Sequence, residues 1–107
     1  MEGAYDSLGR LHGYVDGNII YDMGNRVAGY TDGSMIYDAY RTPLAYVDDQ
    51  YVYTMDGEPI GYHSGNRLYD MDGNYIGYGN QGFRGLLGTI LLLLLLRRFF
   101  FRRRFFI

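Results

Sequence analysis

Residues 3–82 repeat one 16-residue unit five times without a gap. The copies read GAYDSLGRLHGYVDGN, IIYDMGNRVAGYTDGS, MIYDAYRTPLAYVDDQ, YVYTMDGEPIGYHSGN and RLYDMDGNYIGYGNQG. Unit position 3 is always tyrosine (Tyr5, Tyr21, Tyr37, Tyr53, Tyr69), and so is position 12 (Tyr14, Tyr30, Tyr46, Tyr62, Tyr78). Position 4 is aspartate except at Thr54, and position 11 is glycine except at Ala45. A unit this short cannot bury an interior alone, so the copies must stabilise one another.

Turn chemistry recurs twice per unit. Asp56-Gly57 and Asp72-Gly73 mark one turn, Asp16-Gly17 and Asp32-Gly33 the other. Such pairs tolerate the positive φ of tight hairpin turns. Between them lie strand-length runs such as Ile19-Ile20-Tyr21-Asp22, too short for a helix before the next breaker. The expectation is all-β: ten short antiparallel strands in five hairpins, stacked in a line or closed around a pseudo-fivefold axis, with closure favoured because an open array would leave its edges unpaired. With the first turn at positions 6 and 7, position 3 pairs with 10 and position 2 with 11. That register puts both tyrosines and position 10 (His12, Ala28, Leu44, Ile60, Ile76) on one face. Position 2 (Ala4, Ile20, Ile36, Val52, Leu68) shares the other face with the glycine of position 11, which admits a closely packed neighbour. Pro43 and Pro59, both at position 9, do not donate to a ladder.

The Ile-Tyr-Asp and Ile-Gly-Tyr elements with Asp-Gly-Asn turns resemble the β-flowers, small bacterial domains of four-fold or five-fold tyrosine- and glycine-rich hairpins. The resemblance covers residues 3–82 and implies a fold rather than an activity. The third unit departs most, with Tyr40-Arg41 and Asp48-Asp49 where other units carry glycine turns.

Composition changes abruptly after residue 82. Residues 1–82 hold all 12 acids and 4 arginines, a net −8, while residues 83–107 hold 6 arginines and no acid. All 13 tyrosines precede this boundary and all 6 phenylalanines follow it. The chain therefore divides into a repeat domain, 3–82, and an apolar, arginine-rich, membrane-like tail, 83–107, expected to be helical. Residues 85–96 are uncharged, about 18 Å as a helix against a hydrocarbon core of about 30 Å. Residues 83–101 would reach about 28 Å if the arginines snorkelled. The expected lipid contacts are Leu86, Leu87, Ile90, Leu91, Leu92, Leu93, Leu94, Leu95, Leu96, Arg97, Arg98, Phe99, Phe100, Phe101, Arg102, Arg103 and Arg104. Competing readings make the tail a self-association segment, a strip packed against the repeats, or a low-complexity run. A spanning tail would place the repeats outside the cytoplasm by the positive-inside rule, yet no signal peptide precedes them. A membrane-associated domain on either side is the resulting expectation.

Catalytic chemistry is thin. His12 and His63 occupy different unit positions, and no nucleophile elbow, P-loop or zinc spacing occurs. No cofactor or metal is implied, and the aspartates are accounted for by turns. The ten repeat-locked tyrosines are either cross-strand packing partners or a phenol surface for a glycan or peptide. Nucleic acid is disfavoured on a domain of net −8. The sequence thus supports a non-enzymatic binding or scaffold module attached to membrane lipid through its tail. The alternative is a self-assembling homo-oligomer whose tails cluster beneath an outer layer of repeats.

Overall fold

A computed structural model describes residues 2–79 and 83–95. Ten strands precede one helix: β1 (Glu2–Asp6), β2 (Leu11–Asp16), β3 (Ile19–Asp22), β4 (Val27–Thr31), β5 (Met35–Asp38), β6 (Pro43–Asp48), β7 (Tyr51–Thr54), β8 (Pro59–Ser64), β9 (Arg67–Asp70), β10 (Tyr75–Gly79) and α1 (Phe83–Leu95). Each strand pairs antiparallel with its sequence neighbours, and β1 pairs with β10 to close a barrel. Closure leaves no strand edge unpaired, which answers the edge problem directly. Both prolines sit at the first residue of a strand, where the missing N–H costs the ladder least.

The two turns of each unit differ in length. At positions 5–7 the loop has three residues: Asp6 N–H donates to Arg10 O and Gly9 N–H to Asp6 O, each at 3.0 Å, and every unit repeats this pair. Position 7 is left-handed in all five units, at Gly9, Asn25, Arg41, Gly57 and Gly73. This is a type I turn followed by a left-handed residue. Position 4 closes the loop from its side chain. Asp38 Oδ1, for example, accepts from Tyr40 N at 2.9 Å and Thr42 N at 3.0 Å. At the other end the loops have two residues, with positive φ at the first of them: Gly17, Gly33, Asp49 and Gly65.

The longer loop corrects the expected register. Position 2 pairs with 11 as anticipated (Ile20↔Gly29), but position 3 pairs with 9 (Tyr21↔Val27), leaving position 10 as a bulge. The same shift occurs in every unit. Position 10 therefore leaves the tyrosine face: Ile60 is buried, and Ala28, Leu44 and Ile76 pack partly buried against the core.

Inside the barrel runs α1. Its side chains at Leu86, Leu87, Ile90, Leu91, Leu92 and Leu93 are at most 5% exposed, among Ala4, Ile20, Ile36, Val52 and Leu68 of the wall. A helix apolar on all sides needs a wholly apolar surrounding, and the lumen supplies it. The small residues of the wall make room. A Cβ on Gly29 would lie 2.5 Å from Leu91 Cδ2, and one on Gly13 would lie 2.9 Å from Leu92 Cδ1. Gly88 of the helix reciprocates, since a Cβ there would meet Val15 Cγ2 at 2.6 Å. The buried Thr89 hydroxyl is satisfied by Tyr78 O at 2.8 Å and Gly85 O at 3.0 Å.

The helix has a definite direction. Its first turn lies beside Gly3 and Gly79, and Glu2 Oε1 accepts from Gly85 N at 2.5 Å, a carboxylate placed near a helix N-terminus. Leu92 lies instead beside His12, Met23 and Gly24 at the three-residue loops. The helix thus runs from the rim of tight turns to the rim of longer loops.

Candidate functional site: a tyrosine wall and an apolar rim

Because side chains alternate, the face opposite the core carries positions 3 and 12. These become direct partners across adjacent units: Tyr14↔Tyr21, Tyr30↔Tyr37, Tyr46↔Tyr53, Tyr62↔Tyr69 and, across the closure, Tyr78↔Tyr5. Ring centroids are 4.9 Å apart for Tyr5–Tyr78, 5.1 Å for Tyr14–Tyr21, and 5.2 Å for both Tyr46–Tyr53 and Tyr62–Tyr69, all stacked. Such pairs add about 0.5–1.5 kcal/mol beyond area burial. All ten tyrosines are half-buried on the outer wall. They are neither core residues nor fully presented phenols, but a paved exterior with one ring face or edge open. Tyr51 and Tyr75 widen the paving by tilted contacts with Tyr53, Tyr62 and Tyr69.

The tail residues are distributed differently from the expected lipid contacts. Leu86, Leu87, Ile90, Leu91, Leu92 and Leu93 are enclosed by strands, so in this arrangement they meet protein rather than lipid. The boundary at residue 82 separates strands from helix but not one core from another. Leu94 and Leu95 end α1, while Leu96, Arg97, Arg98, Phe99, Phe100, Phe101, Arg102, Arg103 and Arg104 lie outside the described residues. Among the described residues, no helix is long and apolar enough to cross a membrane.

A feature absent from the expected site residues appears at the long-loop rim. Each three-residue loop carries one large, exposed apolar side chain: Leu8 (75%), Met23 (61%), Tyr40 (89%), Met55 (45%) and Met71 (38%). The signal was readable as one apolar residue at unit position 5 or 6 in every copy. The tight-turn rim carries Asp16, Gly17, Asn18, Asp32, Gly33, Ser34, Asp48, Asp49 and Gln50 instead.

Titratable groups at the rims serve the turns. Burial of Asp6 works to raise its pKa, but hydrogen bonds from His12, from the Arg10 backbone and guanidinium, and from Leu8 N–H outweigh it. The carboxyl is held well below the usual range. Its oxygens lie 2.8 Å from His12 Nε2 and 2.9 Å from Arg10 Nε. Asp22 is lowered first by the Arg26 N–H, and Asp32 first by the Met35 N–H. His63 sits at the opposite rim from His12, with Nδ1 3.2 Å from Gly65 O and Nε2 3.1 Å from Asp49 O. The two histidines are thus tied to local backbone or to a turn carboxylate. Among the described residues no cluster of three metal-ligating side chains forms.

Neither the curated proteins nor the solved structures contain a significant match to the chain. A family profile described as "5-fold beta-flower protein" matches residues 1–92, which takes in all five hairpins and α1 as far as Leu92. The five units, their closure into one ring and this match agree: the chain belongs to the 5-fold β-flower family.

Proposed function

We propose that this domain is a non-enzymatic binding module that sits on an anionic membrane surface by its long-loop rim. The observation that carries the reading is the placement of Leu8, Met23, Tyr40, Met55 and Met71 around the rim toward which α1 runs. Residues 96–107, which follow α1, contain five arginines and no acid. Apolar tips that enter the headgroup region and arginines that meet anionic lipid act together, each arginine near the surface contributing about 1 kcal/mol. The repeats' net −8 works against contact with the same headgroups, acids such as Asp56 and Asp72 standing at this rim too, so the tail arginines have to offset it. This attachment lies on the surface and needs no spanning helix, which suits a chain whose leucines fill its own barrel. The tyrosine wall then faces the aqueous phase, available to a ligand.

Cosedimentation of the full chain with phosphatidylserine-containing vesicles tests this. Binding is expected to weaken with salt and to fall about tenfold or more when all five rim residues become serine. A chain left in the supernatant with anionic vesicles would sink the proposal. The self-assembly alternative uses the same rim, and sedimentation velocity without lipid reads it: a discrete oligomer abolished by the serine variant would favour it.

A further inference from the structure

The third unit, the least regular in sequence, supplies Tyr37 and Arg41 to a second candidate site on the wall, at its seam with the second unit. A cleft of about 520 Å³ lies over the Tyr30↔Tyr37 pair, bounded by Ile19 and Asn18 on one side and by Asp32 and Arg41 on the others. The unit geometry explains why Arg41 reaches it. A position-7 side chain lies over the position-12 tyrosine of the preceding unit, as when Tyr14 Oη donates to Asn25 Oδ1 at 2.6 Å. Arg41 occupies the equivalent place above Tyr30, its guanidinium carbon 4.0 Å from the ring centroid. It does so from a left-handed backbone, φ 67°, where units one, four and five carry glycine. A long cation therefore stands at a strained position, and such residues gather at functional sites.

The chemistry of the cleft is asymmetric. Among the described residues no carboxylate lies within ion-pair distance of Arg41. A guanidinium stacked on an aromatic ring keeps its in-plane N–H groups for a planar anion. Asp32 is already engaged by its own turn: Oδ1 accepts from Ser34 N and Met35 N, and Tyr37 Oη lies 3.4 Å from Oδ2. The second oxygen retains room for a hydroxyl donor. Half-exposed tyrosine rings and Ile19 offer a flat apolar floor between the two poles.

We propose that this cleft binds a sugar acid, a pyranose ring bearing a carboxylate. The ring lies against Tyr37, the carboxylate pairs with Arg41, and ring hydroxyls donate to Asp32. The cleft opens on the wall and meets the long-loop rim at Arg41, whose neighbour Tyr40 is one of the apolar tips, while Asn18, Ile19 and Asp32 lie toward the other rim.

Titration calorimetry of the full chain with a galacturonic acid tetramer, and with the neutral galactose tetramer as comparison, tests the site. The acid tetramer is expected to bind at least about tenfold more tightly, the scale of one charge-assisted pair. Arg41→Gly restores the residue that three other units carry, so the barrel is retained, and circular dichroism verifies this. That variant is expected to bind the acid tetramer no better than the neutral one. Equal binding of the two tetramers by the native chain, undiminished binding by R41G, or no binding of the acid tetramer would each overturn the proposal. A variant with serine at Leu8, Met23, Met55 and Met71, which keeps Tyr40 beside Arg41, is expected to bind like the native chain, and a loss there would place the acid sugar at the rim instead.

Discussion

The two rims of this barrel are made from the ends of the same strands, yet they carry opposite surfaces. At one, two-residue turns spend both positions on tight backbone geometry and polar side chains. At the other, three-residue loops place a left-handed residue at position 7 and an aspartate or Thr54 at position 4. That leaves positions 5 and 6 outside the ladder, free to carry Leu8, Met23, Tyr40, Met55 or Met71 outward. One additional loop residue per unit thus decides which end can become an adhesive surface. The bulge at position 10 is the other half of the same decision, because the strand must absorb the changed register.

The severest way to break the contrast is to remove what connects the rims. A chain truncated after Gly82 loses six buried aliphatic side chains, each contributing about 1.5–3 kcal/mol. Together these match or exceed a typical domain stability of about 5–15 kcal/mol. Loss of the β circular dichroism signal and of dispersed tyrosine resonances is expected, and a folded truncation would show that the wall stands without its helix. Next in size is a paired substitution. Asp38→Ala at the long-loop rim leaves two N–H groups without their acceptor and should cost about 1–2 kcal/mol in chemical unfolding. Asp48→Ala at the tight-turn rim should change stability by less than about 0.5 kcal/mol. Equal effects would mean that the two sets of acids do the same job.

Acid should separate the wild type from an Asp6 variant. Asp6 titrates below its ordinary value of 3.8 when folded. Its contribution is therefore present above that unfolded value and is lost as pH falls through the lower folded one. Melting temperature followed from pH 5 to pH 2 should drop less steeply in Asp6→Asn than in the native chain. The smallest effect concerns backbone strain within the tight-turn rim. Asp49 holds φ 57° where Gly17 and Gly65 hold 63° and 62°. Asp49→Gly should stabilise by about 0.5–1 kcal/mol and Gly17→Ala destabilise by a similar amount or more, read as shifts in denaturant midpoint.

Much of the architecture could be read from residues alone. Tyr5 and Tyr14, each with four counterparts, mark the period, and the cost of open edges favours a ring over a linear stack. The interior was harder. An apolar helix inside a barrel and one inside a bilayer obey the same composition rule, so Leu86 to Leu93 look alike in both settings. What distinguishes them lies in the wall: with Ala4, Gly13, Gly29, Ala45 and Gly77 facing inward, ten strands cannot fill their own lumen. The register slipped for a local reason. Asp56-Gly57 looks like a two-residue turn, whereas Thr54 at position 4 and the left-handed Gly57 at position 7 require three loop residues. As a surface the rim is illegible in the sequence, because single exposed methionines are unremarkable until closure sets them side by side.

The helix that fills the lumen follows all five hairpins in the chain, and this orders assembly in time. A ribosome adding roughly 5–20 residues per second releases all five hairpins before the residues that give them an interior. Until then each hairpin displays its Ile20- or Val52-type face with nothing to cover it, and the seam between β1 and β10 has no reason to close. Ring closure and helix burial are therefore expected to arrive together, as one late event. Half-made chains would be the natural clients of chaperones, and the whole molecule should fold or unfold as one unit despite its five-part design.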